Sequence, residues 1–414
     1  MIEKADQNRI QHWLEGIDRF NSTSGAGTTR VLFTEPELAS RAYIKDEMLK
    51  LGLQVQEDAI GNIFGVLEGS DPALPAVWTG SHIDTVPHAG MFDGMAGIVS
   101  GMEALRLIRA AGVPHKRNLT VVVYTSEEPT RFGLSCLGSR AMAGVLTLEE
   151  TKNLFDEQGQ SLYDVLGALG YDHSRYDSVR RSPRDVYAAL ELHIEQNSML
   201  YKRKVPLGIV KGICAPTIFN AQVKGIQSHA GGTSMKDRHD AFAAASDVTL
   251  ALERLAQESE GEYVTATVGK VDVEPNAVNI IPGSVAFSID IRSIDMESKE
   301  ILIKRLKQEV QNIQEKRGVR IELELQNHDI PLRCDARIAE LLRQSCREQN
   351  LPYLDLISGP YHDSLFVGRF APVAMLFVPS KDGISHSKDE WTDFADIARG
   401  VDVLSDTLIK LANE

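Results

Sequence analysis

Four short apolar runs, each closed by a polar or charged side chain and spaced by segments of helical periodicity, set the narrowest limit on how this chain folds. Ala76-Val77-Trp78-Thr79-Gly80-Ser81 leads to His82, and Leu119-Thr120-Val121-Val122-Val123-Tyr124 leads to Glu127-Glu128. Val186-Tyr187-Ala188-Ala189-Leu190-Glu191-Leu192 delivers His193, and Pro372-Val373-Ala374-Met375-Leu376-Phe377-Val378 opens onto the loop that holds His386. Between the first two runs, residues 97–111 repeat apolar side chains at helical spacing until Pro114 punctuates the chain. Strand and helix in alternation imply an α/β fold with a largely parallel sheet covered by helices on both faces. Sites in such sheets form outside the carboxyl ends of the strands, so four such ends can meet in one crevice.

Earlier in the chain the pattern predicts helices over 7–20 and 35–51, then strands over 53–57 and 61–68. Residues 148–177 are more polar and helical and are expected to form a surface excursion. From 214 to 327 the rhythm changes to strand (217–224), helix (240–257), strand (263–271), strand (284–292), helix (298–316) and strand (319–325). That βαββαβ order is the split βαβ arrangement of ferredoxin-like domains. Gly and Pro at 212–216 and 326–331 suit linkers, and the α/β pattern resumes with a helix over 336–349. The expected organisation is therefore a main domain built from 1–213 and 328–414, interrupted by an inserted module at 214–327.

The length of 414 residues suits two domains. A formal net charge of -14 leaves no basic surplus to neutralise phosphates, which argues against nucleic acid as a partner. Cys136, Cys214, Cys334 and Cys346 are far apart and form no C-x-x-C pair, so neither a disulfide framework nor a zinc knuckle is indicated. No apolar run is long enough to span a bilayer, and the first residues lack the pattern of a leader peptide. A cytoplasmic chain with no membrane anchor is expected.

His82, Asp93, Glu128, His193 and His386 are metal-competent side chains, and the first, third, fourth and fifth follow the four runs. Asp93 lies in the glycine-flanked turn Met91-Phe92-Asp93-Gly94. Two divalent ions can share one bridging carboxylate, with His and carboxylate donors completing each side. Asp93 is the expected bridge, and His82 and Glu128 or His193 and His386 would complete the two shells. Asp84, two residues from His82, is expected to orient its imidazole. Imidazole and carboxylate donors suit zinc or manganese and leave the choice between them open. Neighbouring side chains at a strand end point to opposite sides, so Glu127 is left as a carboxylate able to act as general base and then general acid. Taken singly, any one of these histidines could be a structural hydrogen bonder, and Glu127-Glu128 a solvated turn. Repetition at four strand ends is what favours a hydrolase.

Further stretches carry a resemblance: Gly80-Ser81-His82-Ile83-Asp84-Thr85-Val86, Phe92-Asp93-Gly94, Ser126-Glu127-Glu128-Pro129-Thr130-Arg131-Phe132-Gly133, Leu192-His193-Ile194-Glu195-Gln196, Ser228-His229-Ala230-Gly231 and Asn276-Ala277-Val278-Asn279-Ile280-Ile281-Pro282. Along nearly its whole length the chain resembles the family of ureidoglycolate, allantoate and N-carbamoyl-L-amino acid amidohydrolases, within the M20-type metallopeptidases. The resemblance implies a zinc-peptidase-like mixed sheet flanked by helices, with the insert serving as lid and dimer interface of a homodimer. It implies the same five metal ligands and Glu127 as acid and base. It adds His229, which would reach the neighbouring subunit's site and steady the oxyanion, and Arg292, which would grip a substrate carboxylate through two parallel hydrogen bonds. An ion pair with Asp290 or Asp295 is the alternative for Arg292. Asn279, Gln196 and His362 would contact substrate. Asn197-Ser198 departs from the small pair usual in the family after Gln196.

The expected activity is hydrolysis of the ureido C–N bond of a small carboxylate, with ureidoglycolate first and N-carbamoyl-L-amino acids and allantoate next. Segments 126–133 and 361–366 resemble the ureidoglycolate branch. An aminopeptidase or dipeptidase on the same scaffold, and a silent dimeric binding protein, are the competing expectations. With Arg292 and Asn279 on the insert and the metal ligands on the main domain, closure of the insert is expected to bring them together.

Overall fold

The Asp6 carboxylate accepts hydrogen bonds from the backbone N–H groups of Asn8 (2.9 Å) and Arg9 (3.4 Å) and so caps the first helix, α1 (Gln7–Asp18). The structure, a computed structural model, describes residues 2–414. After α2 (Glu35–Lys50) come β1 (Gln54–Glu57), β2 (Ile63–Leu67), β3 (Ala76–His82), α3 (Met95–Ala110), β4 (Leu119–Tyr124), β5 (Val186–Ile194) and β6 (Leu207–Ile213). The polar stretch between β4 and β5 contains short helices at Leu148–Thr151 and Leu162–Ala168. Next in order are β7 (Ala215–Lys224), α4 (Ala241–Gln257), β8 (Val264–Thr267), β9 (Val271–Glu274), β10 (Ser284–Ser293), α5 (Met296–Arg317) and β11 (Arg320–His328). The chain ends its path through α6 (Ala336–Glu348), β12 (Tyr353–Ser358), β13 (Val373–Val378) and α7 (Phe394–Asn413).

Two units result. The larger takes the described residues up to Lys211 with Cys334–Leu356 and His362–Glu414; the smaller takes Gly212–Arg333 and Ile357–Tyr361. The sequence assigns 357–361 to the main domain, but hydrogen bonds draw the segment to the smaller unit. Cys214 N donates to Ser358 O (2.8 Å), and the Arg292 guanidinium donates to Gly359 O (3.2 Å).

In the larger unit the sheet runs β1-β2-β4-β3-β5-β13-β6, with β12 beside β6. β4, β3, β5 and β13 are mutually parallel, with His82 opposite Tyr124 and His193 opposite Phe377, so their carboxyl ends lie along one edge. β2 and β6 run antiparallel to this group, which makes the sheet mixed. β4 and β13 are buried along their whole length because helices cover both faces. α3 lies on this sheet and is buried almost all round; Ile98, Met102 and Leu105 share a core with Val121, Leu192 and Leu404. Gly97 sets the approach, since a Cβ there would lie 2.5 Å from the Leu192 carbonyl oxygen and 2.6 Å from Ser81 Cβ.

In the smaller unit β7 lies between β10 and β11, antiparallel to both, and β8 and β9 both pair with β10. The single strand expected over 263–271 is broken because Thr267 faces Asp290 while Val271 faces Phe287, which inserts one extra residue on the outer strand. α4 and α5 bury Val248, Leu252, Leu302 and Leu306 against Phe219 and Ile289. Among the described residues no helix is long and apolar enough to cross a membrane.

Candidate metal centre

His82 is the last residue of β3 and His193 lies near the end of the adjacent parallel β5, which sets the two imidazoles side by side with ring centroids 6.0 Å apart. Each ring is oriented through its Nδ1. That of His82 lies 3.0 Å from the Asp84 carbonyl oxygen, and that of His193 lies 2.9 Å from the Ile194 carbonyl oxygen. With Nδ1–H donating, both Nε2 atoms face the same point, the arrangement a ligating histidine requires.

That point is Asp93. After β3 the chain turns through Gly94, whose φ of 73° is open to glycine and whose missing side chain leaves room for the His82 ring, 2.6 Å from where a Cβ would be. Asp93 Oδ1 lies 3.2 Å from His193 Nε2 and 3.6 Å from His82 Nε2, while Oδ2 lies 3.2 Å from His386 Nε2. His386 Nε2 is also 3.3 Å from Glu128 Oε1. Two donor groups therefore meet at one carboxylate: His82, Asp93 and His193 on one oxygen, and Asp93, Glu128 and His386 on the other. The sequence proposed other pairings, because strand order rather than chain order decides which histidines adjoin.

Electrostatics follow from this crowding. Burial alone would raise Asp93, but hydrogen bonds from three imidazoles hold it well below the usual carboxylate range. The Asp93 carboxylate conversely lifts His386 to about 9. Burial, then the adjacent Asp93 charge, push Glu128 up to about 7. Glu127 is raised further by burial and by Glu128 beside it; its Oε2 lies 4.0 Å from His82 Nε2 and its Oε1 lies 3.8 Å from Cys136 Sγ. Anionic oxygens and inward-facing imidazole nitrogens at this density fit a divalent cation better than they fit one another.

Asp84 lies against His82 as expected: its backbone carbonyl accepts from Nδ1 and its carboxylate Oδ1 is 3.7 Å from the same nitrogen. The carboxylate also accepts from Glu127 N (3.2 Å) and Glu128 N (3.0 Å), fixing the turn that presents both glutamates. Gln196 is in the cluster, with Nε2 donating to Asp93 Oδ2 (2.8 Å) while its buried Oε1 has no hydrogen-bond partner. His362 packs edge-on against His193 at 4.6 Å; burial, then the neighbouring His193, depress its pKa well below the usual value. Next to it, Asp363 accepts from Ser139 Oγ (2.5 Å), and burial lifts its carboxyl to about 8.

His229, Asn279 and Arg292 belong to the smaller unit. The first two are exposed and joined by a short ladder in which Ser228–His229 pairs with Ile280–Ile281 and Ala230 N donates to Asn279 O (2.9 Å). Arg292, next to last in β10, is half-buried and paired with Asp290 through Nε and Nη2 at 3.0–3.2 Å. Three participants escaped the sequence reading: Glu390, Ser385 and Glu191. Glu390 accepts from Phe92 N and Asp93 N, and Ser385 Oγ donates to Asp93 Oδ2. Glu191 is held by Ser81 and Ser364 inside the sheet. Glu390 follows Lys388-Asp389, a charged stretch that looks like any solvated turn.

A mixed sheet whose carboxyl edge gathers two His and carboxylate groups around one aspartate is the architecture of a metal-dependent hydrolase. The chain belongs to Peptidase family M20/M25/M40, whose model matches residues 78–410. It is 38% identical over 414 residues to the ureidoglycolate hydrolase of Arabidopsis thaliana, an alignment covering 99% of this chain and 87% of the relative. It is 35% identical to the N-carbamoyl-L-amino-acid amidohydrolase of Paenarthrobacter aurescens, with 97% of each chain covered. Among solved structures, that of AtUAH in complex with glyoxylate superposes with a TM-score of 0.87 at 37% identity, covering 99% of both chains.

Proposed function

We propose that this protein hydrolyses the ureido C–N bond of a small carboxylate, ureidoglycolate first, releasing ammonia and a carbamate that decomposes to carbon dioxide. The observation that carries the reading is the sharing of Asp93 between two donor groups, with Glu127 beside them and outside both. The identity to a ureidoglycolate hydrolase favours the substrate.

His82, Asp93 and His193 would hold one cation and Asp93, Glu128 and His386 a second. Manganese or zinc bound there supplies Lewis acidity toward the ureido carbonyl and the attacking water. Glu127 takes a proton from that water and returns it to the departing nitrogen, a task suited to a carboxylate whose basicity burial has raised. The Gln196 Oε1, without a protein donor, is free to accept from a ureido N–H, and His362 borders the same cluster. His229, Asn279 and Arg292 complete the proposed substrate contacts, with Arg292 binding the carboxylate once it exchanges Asp290 for substrate. The proposal extends to a lid role for the smaller unit and to a homodimer formed through it, where Phe242 and Leu250 on α4 are exposed. It also places the protein in the cytoplasm, in keeping with four cysteines that are all thiols.

The test is ammonia release by Mn-loaded protein from ureidoglycolate, allantoate and N-carbamoyl-L-amino acids, alongside amino-acid release from dipeptides. Ureidoglycolate is expected to give the highest kcat/KM. A preference for N-carbamoyl-L-amino acids or allantoate would move the assignment within the family, and turnover of dipeptides alone would overturn it.

A further inference from the structure

Two loops distant in sequence, one carrying Asp93 and the other His386, are joined by a buried carboxylate that the hydrolytic scheme leaves unused. Glu390 is 4% exposed. Its Oε1 accepts from both Phe92 N (2.9 Å) and Asp93 N (3.1 Å), which fixes the backbone from which the Asp93 side chain departs. Its Oε2 and Asp93 Oδ2 share the one hydroxyl proton of Ser385, whose Oγ lies 3.0 Å from the first and 2.8 Å from the second. Gly90 closes the arrangement, since a Cβ there would lie 2.4 Å from Glu390 Cβ. His386, by contrast, has φ 53° and a side chain 48% exposed, so its direction depends on how the loop around Ser385 is held.

We propose that Glu390 is a positioning residue for cation binding, holding the Asp93 and His386 loops in register through the Phe92–Asp93 backbone and Ser385. The inference rests on the metal-centre reading above. One carboxylate reaches both loops because its two oxygens serve different ones. A ligand oriented by such a partner loses affinity when the partner is shortened, even though the partner never touches the cation.

Titration of metal-free protein with Mn²⁺ by calorimetry, alongside thermal melting without metal, separates position from charge. Glu390→Gln keeps the reach: its amide oxygen accepts from both backbone N–H groups while its NH₂ faces Ser385, so Mn²⁺ affinity stays close to wild type. Glu390→Asp keeps the charge but is one methylene short, so affinity for at least one of the ions falls about 10- to 100-fold. The metal-free melting temperatures of the two variants, measured together, tell loss of fold from loss of register. Glu390→Asp binding Mn²⁺ as tightly as wild type, or Glu390→Gln weakening as far as Glu390→Asp, overturns the positioning role alone. A wild-type protein that takes up neither Mn²⁺ nor Zn²⁺ overturns the metal-centre reading and this one with it.

Discussion

Glu127 and Glu128 are adjacent and chemically identical, yet only one joins a donor group. Glu128 turns toward His386, and Glu127 stays on the His82 side with its Oε1 near a thiol. Asp84 enforces the split by accepting from both backbone N–H groups. Glu127→Gln removes the proposed proton carrier while preserving shape and both donor groups. The expected result is kcat lower by about 10²- to 10⁴-fold with the metal content per chain unchanged, as read by elemental analysis. A variant retaining near wild-type kcat would remove Glu127 from its role. At this scale the sequence was informative wherever a side chain ended an apolar run, as at His82 and His193. It named Asp84 for its contact with His82 but not for its grip on the Glu127 and Glu128 backbone, and it was silent on Glu390, whose role depends on a fold that brings residue 390 to residue 93.

Among the elements, α3 is seated directly on the sheet backbone. Gly97 lets the helix settle onto the sheet beside Ser81 and Leu192, and the turn that holds Asp93 lies immediately before its first residue. Gly97→Ala would push the helix away from a backbone carbonyl that cannot give. Overpacking of this kind costs about 1–3 kcal/mol, and here Asp93 would be displaced with the helix. Lower stability in urea together with weaker Mn²⁺ binding is expected; a variant with wild-type values of both would refute this view of the seat. Elements with a strong period were legible from sequence, and α1 and α2 begin where expected, at Gln7 and Glu35. β8 and β9 were not separated, because a bulge is a matter of register against β10, and register is a property of the pair. β6 went unnoticed because its short apolar stretch, Leu207–Ile213, lacks a polar terminus to single it out.

For the molecule as a whole, each unit has its own apolar core, and all five proposed ligands lie in the larger one. Trp13, Trp78 and Trp391 also lie there and the smaller unit contains none, so indole emission follows the larger unit by itself. Mn²⁺ at 100 times its Kd stabilises the folded state by about 2.7 kcal/mol. The fluorescence melt should therefore move upward with Mn²⁺ and downward with chelator, while a calorimetric transition from the smaller unit stays in place. A tryptophan transition indifferent to Mn²⁺ would count against the ligand set. One consequence of Asp93's shared position concerns synthesis. On the proposed ligand set, His82, Asp93 and His193 leave the ribosome well before His386, so the second donor group is completed only once the loop beyond β13 has emerged.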